Sequence, residues 1–137
     1  MFDEIVAEKL MTKRGEVVDI GRFIVVRADS TQSDIPILSF ISIVREGGCI
    51  CSCISMQIDG HGNNYDEAKK DMFDNVLYYL KAVFEEYKEN IWENLLSLFE
   101  MNEDTAVYWN AFFAMQLKLA EKGLASDPSV EIVHWNK

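Results

Sequence analysis

The pair Gly47-Gly48 lies between two runs of β-forming residues, Ile37–Arg45 and Cys49–Ile58, and constrains the fold more than any other feature of the chain. Glycine alone takes the positive φ angles of a tight hairpin without strain, so the pair predicts two antiparallel strands joined by a short turn. Along the second run the even positions Ile50, Ile54, Met56 and Ile58 are large and apolar, whereas Cys49, Cys51, Cys53 and Ser55 are small. Successive strand side chains point to opposite faces. One face should therefore be a bulky core, and the other should admit something packed closely against it.

The polar stretch Asp59-Gly60-His61-Gly62-Asn63-Asn64 reads as a turn leading into the strongest helical segment of the chain. Asn64 can accept hydrogen bonds from the first turn, with Glu67 three residues later as its capping-box partner. Ala68, Met72, Val76, Leu80, Val83 and Tyr87 then form one apolar stripe, with Phe73, Leu77 and Phe84 beside it. Elsewhere the spacing predicts a helix over about Asp3–Arg14 closed by Gly15, and a strand over Arg22–Arg27. Helical spacing resumes over Ile91–Phe99, and a further helix runs from Asn102 or Asp104 to about Lys122, ended by Gly123. Val130–Val133 has the composition of a returning edge strand. The expected architecture is a single α+β domain over residues 1–137: an antiparallel sheet of three or four strands with helices packed on one face.

The formal charge of −10, from 23 acidic and 13 basic residues, opposes binding to a phosphate backbone, which requires clustered Lys and Arg. The longest basic runs are the dipeptides Lys13-Arg14 and Lys69-Lys70. The same field favours approach by a basic protein. No stretch reaches the ~20 apolar residues of a membrane span. The acidic opening Met1-Phe2-Asp3-Glu4 is unlike a secretory signal, and three closely spaced cysteines are not a disulfide framework. A reducing cytoplasm is the expected location.

Three constellations could carry chemistry. Cys49, Cys51 and Cys53 share one strand face, but side chains two apart on a straight strand stand about 6.5–7 Å apart, too far to converge on one metal ion. Core packing is the expectation for them, and no cofactor or metal is called for. Asp59 and His61, with Asn63 and Asn64, could form a ligand or general-base site, although no nucleophile with a recognisable setting lies nearby. Glu85, Glu86, Glu89 and Glu93 read as a solvated helix face, since no Glu-x-x-His accompanies them. The last long helix is different. Tyr108, Trp109, Phe112 and Phe113 make it aromatic over more than half its circumference, where one buried side needs a stripe of about 100°. The surplus either lies buried on both sides within one fold or serves in part a partner or subunit interface.

The segment from Ile37 to Tyr87 resembles the HicB family, the antitoxin half of a bacterial toxin–antitoxin pair. The likeness is carried by the hairpin and by Gly62-Asn63-Asn64-Tyr65-Asp66-Glu67-Ala68, which parallels the family's Gly-x-Thr-x-Glu-Glu-Ala helix start. Asn64 stands in for the capping Thr, and Asp66 for a Glu. Where the family has a Pro-Gly step this chain has Ile58-Asp59-Gly60, and the helices beyond Tyr87 are additional to the family pattern. The resemblance implies a sheet-plus-helix core related to a reduced RNase H-like topology without nuclease activity. It also implies a small basic toxin as protein partner and a tendency to self-associate as a homo-oligomer, of which a symmetric dimer is the commonest form. The expectation is thus a non-enzymatic protein-binding or regulatory domain. Two alternatives stand beside it: a ligand-binding protein or enzyme using Asp59–Asn64, and a structural subunit of a larger assembly.

Overall fold

A computed structural model describes residues 11–12, 14–27, 37–86, 103–124 and 128–135. The elements in chain order are β1 (Met11–Thr12), β2 (Gly15–Arg27), β3 (Leu38–Arg45), β4 (Gly48–Cys53), β5 (Ile58–Gly62), α1 (Tyr65–Glu86), α2 (Glu103–Glu121) and β6 (Val130–Trp135). Strands β1 to β5 follow one another across the sheet as antiparallel neighbours. β6 returns in parallel beside β2, pairing Arg22–Arg27 with Val130–Trp135.

The α+β class stands, but the sheet is larger and differently covered than expected. It has six strands among the described residues and is mixed, because the last strand is parallel. Helices lie on both faces instead of one. α1 covers the face of Phe23, Val25, Leu38, Phe40, Cys51 and Cys53. α2 covers the face of Val17, Ile20, Ile41, Ile43 and Ile50. The cause is visible in β3, where every residue from Leu38 to Ile43 is buried: a strand apolar on both sides must be covered on both sides. A bulge between Val17 and Asp19 shifts the register of β2, so that Val17 and Ile20 both face α2 while Phe23 and Val25 face α1.

Four boundaries also change. The helix expected over Asp3–Arg14 falls mostly outside the described residues, and its end is β1, with Gly15 opening β2. β2 therefore begins seven residues before Arg22. The run Cys49–Ile58 breaks at a turn over 54–57, where Gln57 takes a positive φ of 53°. Ile58–Gly62 is consequently strand, not loop, and only 63–64 bend before α1. The helical segment expected over Ile91–Phe99 lies outside the described residues.

Local signals act as physical chemistry requires. The Gly47 φ of +92° sits in the two-residue turn between Arg45 and Gly48. The Glu67 amide donates to Asn64 Oδ1 at 3.0 Å, while Glu67 Oε2 accepts the Asn63 amide at 2.8 Å, so cap and return bond are both made. At the end of α2 the Gly123 amide bonds the Ala120 carbonyl and the Leu124 amide bonds the Leu119 carbonyl, with Gly123 left-handed at φ +73°.

The small face of the hairpin receives α1 at close range. A Cβ on Gly60 would overlap Met72 N and Ala68 O of the helix backbone, and one on Gly62 would lie 2.6 Å from Ala68 N. Gly60→Ala is therefore expected to destabilise the protein by about 3 kcal/mol, because neither backbone can yield cheaply. Urea unfolding checks it; a loss below about 1 kcal/mol would mean the helix is not held this close. Asn64→Ala should cost about 1 kcal/mol through the lost cap, measured in the same way.

Candidate interaction surface

The Asp59–Asn64 segment is built into the sheet edge rather than standing free as a loop. Asp59 Oδ2 pairs with Arg14 at 2.9 Å. Burial works against the charged Arg14 guanidinium, but its hydrogen bonds to Asp59 and Tyr108 outweigh that and raise its pKa. The outer edge of β5 is occupied by side chains of α1: Asn75 Nδ2 donates to the Asp59 carbonyl at 2.8 Å, and the His61 amide donates to Asp71 Oδ2 at 2.9 Å. Asn64 Oδ1 accepts the Glu67 amide in the helix cap, and the Asn63 main-chain amide donates to Glu67 Oε2. Asp59 and His61 share a strand face, yet the Asp59 carboxylate is turned to Arg14 and the His61 side chain is exposed. Asp59 and Asn64 engage their side chains in structural bonds, His61 and Asn63 only their main-chain amides, and the geometry does not join Asp59 and His61 into an acid–base pair.

The cysteines face α1. Cys51 and Cys53 are fully buried and Cys49 partly so. Ser42 Oγ and Cys51 Sγ share a hydrogen bond of 3.4 Å. Burial pushes the Cys51 thiol up to about 11 and the Cys53 thiol up to about 12. Tyr65, at the mouth of this cluster, is pushed to about 12 by burial, against the pull of its hydrogen bond to Ser42. Such thiols stay protonated at neutral pH and are poor nucleophiles and poor metal ligands. Among the described residues no three His, Cys, Asp or Glu side chains converge as a metal site. A shallow cleft of about 510 Å³ opens over Gly21, Phe40 and Tyr65. The charged groups at its rim are engaged: Glu131 pairs with Lys69 at 2.9 Å, and Arg22 lies 5.4 Å from the Phe112 ring centre.

α2 divides its apolar surface in two. Phe112 and Met115 are buried against Ile41, Ile43 and Ile50, so Phe112, expected in a contact surface, belongs to the core. Tyr108 and Trp109 are half-buried at its border. Phe113 is 49 % exposed, stacked on Trp109 with ring centres 5.9 Å apart. Leu117, one turn further, is 53 % exposed. Residues four apart on a helix are neighbours, so Trp109, Phe113 and Leu117 form one continuous apolar row beside the buried one. Sequence reading found the first two and missed Leu117, which the four-residue spacing after Phe113 could have revealed. It also missed Arg14, Asp71 and Asn75; no local signal links Arg14 to Asp59, 45 residues away.

No family model, curated protein or solved structure matches the chain significantly. Among the described residues no helix is long and apolar enough to cross a membrane.

The buried thiols give a pH prediction. Unfolded, they ionise near 9.0; folded, near 11 and 12. Above pH 9 the unfolded state therefore holds fewer protons, so stability is complete below pH 9 and falls as pH rises towards the folded values. We expect a loss of about 2–4 kcal/mol by pH 11, mostly through the fully enclosed Cys53. Urea midpoints at pH 8 and pH 11 measure it, and a C51A/C53A variant should show a flatter dependence.

Proposed function

We propose that this chain is a non-enzymatic protein-binding domain that docks a partner on the exposed row of α2. The observation that carries the reading is the division of that helix. Phe112 and Met115 satisfy the core, while Phe113 and Leu117 are exposed beside them, with Trp109 half-buried at the border. Aromatic and long apolar side chains of this kind supply most of the affinity in protein interfaces. The charge of −10 adds long-range attraction for a basic partner. The engagement of the Asp59 and Asn64 side chains in structural bonds, and the high pKa values of Cys51 and Cys53, weigh on the same side.

Within that reading, the HicB-like helix start and hairpin favour an antitoxin-type role with a small basic toxin as partner. Two features support it: the capping geometry at Asn64 and Glu67, and the parallel return of β6 beside β2 after the helices, which is compatible with a reduced RNase H-like sheet. A small basic reading frame adjacent to the gene would strengthen this assignment, and its absence would count against it.

A photo-crosslinking amino acid at Phe113, compared with one at Tyr78, tests the surface. Tyr78 is 80 % exposed on α1, a control position on the other face of the sheet. In cells of the source organism the Phe113 probe should capture one small basic protein that the Tyr78 probe does not. Phe113→Lys should then weaken binding of that protein by at least about tenfold, with stability changed by no more than about 0.5 kcal/mol. Equal capture at both positions, or binding indifferent to the substitution, would sink the reading.

A further inference from the structure

The apolar row of α2 has a counterpart in the chain itself. Trp109, Phe113 and Leu117 stand four residues apart, the first half-buried and the other two exposed. Phe2, Val6 and Leu10 repeat the same interval in the segment before β1, with Ile5 beside them. On a helix, residues at that interval share one face. Each triplet then spans about 12 Å at 1.5 Å per residue. The two rows match in length and in apolar character.

The fold brings the start of that segment to the right place. β1 begins at Met11, directly after Leu10, and lies against α2. Arg14, two residues beyond β1, hydrogen-bonds Tyr108 in the first half of α2. Met1–Leu10 lie outside the described residues, but the chain that carries them is thus anchored beside Tyr108 and Trp109. A segment running from this anchor along α2, antiparallel to it, sets Leu10 by Trp109, Val6 by Phe113 and Phe2 by Leu117. Charge fits that direction. Asp3 and Glu4 follow Phe2, and Lys118 and Lys122 follow Leu117, so opposite signs meet at the far end of the row.

We propose that Met1–Leu10 packs as a helix on the Trp109–Phe113–Leu117 row and covers it when no partner is bound. Resting on the docking role proposed for the row, this assignment makes the segment a competitor that a partner has to displace. Tethering favours it, because a linked segment acts at an effective concentration on the order of millimolar. A second copy of the chain has no such advantage, and its charge of −10 repels it.

Photo-crosslinking of the purified full chain tests the cover with no partner present. A benzophenone amino acid at Phe113 should form a link within the same chain to a peptide from residues 1–10, identified by digestion and mass spectrometry. The same probe at Tyr78, on α1, should not. Val6→Asp should lower the yield of that link at least about tenfold, since it puts a carboxylate against the row, whereas Val6→Leu should retain it. Nile red, a neutral apolar dye, should bind Val6→Asp at least about threefold more tightly than the unaltered protein, because the row is then open. Adding Phe113→Lys to Val6→Asp should remove that gain. The absence of a link from Phe113 to residues 1–10, links only between two chains, or a link that survives Val6→Asp would each overturn the proposal. If the link is absent while the Phe113 probe still captures a basic protein in cells, the cover falls and the docking reading stands. A link within the chain with no such capture gives the converse.

Discussion

The close seating of α1 on the β4–β5 hairpin is the contact on which the remainder of the architecture rests. Gly60 and Gly62 have no side chain to hold the helix off, and Cys51 and Cys53 fill the floor with small apolar groups. Ala68, Met72, Val76 and Leu80 can then bury completely. Dispersion attraction falls off steeply with distance, so this approach yields dense packing instead of a lined void. It also brings Asn75 and Asp71 to the outer edge of β5, where their side chains bond the strand's main chain. One geometric fact thus builds a core and closes a sheet edge. It also explains why the thiols resist ionisation, since a thiolate there would be stripped of water.

With that face occupied, the second face of the same strands must find its own cover. Ile41, Ile43 and Ile50 take Phe112 and Met115 of α2. A single helix crossing a sheet buries only one stripe, and α2 carries more apolar surface than one stripe holds. Phe113 and Leu117 are the remainder, with Trp109 half-buried between them and the core. Their exposure is a consequence of geometry: rotating the helix to bury them would expose Phe112.

The edges show a corresponding asymmetry. β5 is short and capped by hydrogen bonds from a neighbouring helix, and Asp59 is tied to Arg14 near the start of β2. β6 joins the sheet in parallel beside β2 and keeps Ile132 exposed. Its contact with α1 runs through Val133 and the Lys69–Glu131 pair. Apolar groups thus remain exposed after the core is complete, on α2 at Phe113 and Leu117 and on β6 at Ile132.

Features decided by neighbours in the chain were legible in the sequence. The turn at Glu46-Gly47, the cap at Asn64 and Glu67, the stop at Gly123 and the large–small alternation of β4 all depend on residues within a few positions of each other. Backbone conformation and short-range hydrogen bonds suffice to specify them. The aromatic surplus of α2 was legible too, as composition on a helical period. Which aromatic is core and which is surface was not, because Phe112 and Phe113 differ only in how the helix is rotated on a sheet assembled from distant segments. The same holds for the Gly60–Gly62 segment, which has the composition of a loop and becomes a strand because α1 requires a flat partner without side chains. Alternation, caps and turns are local and belong to the sequence. The two-sided covering of the sheet, the parallel return of β6 and the Arg14–Asp59 pair join residues far apart in the chain, and packing alone decides them.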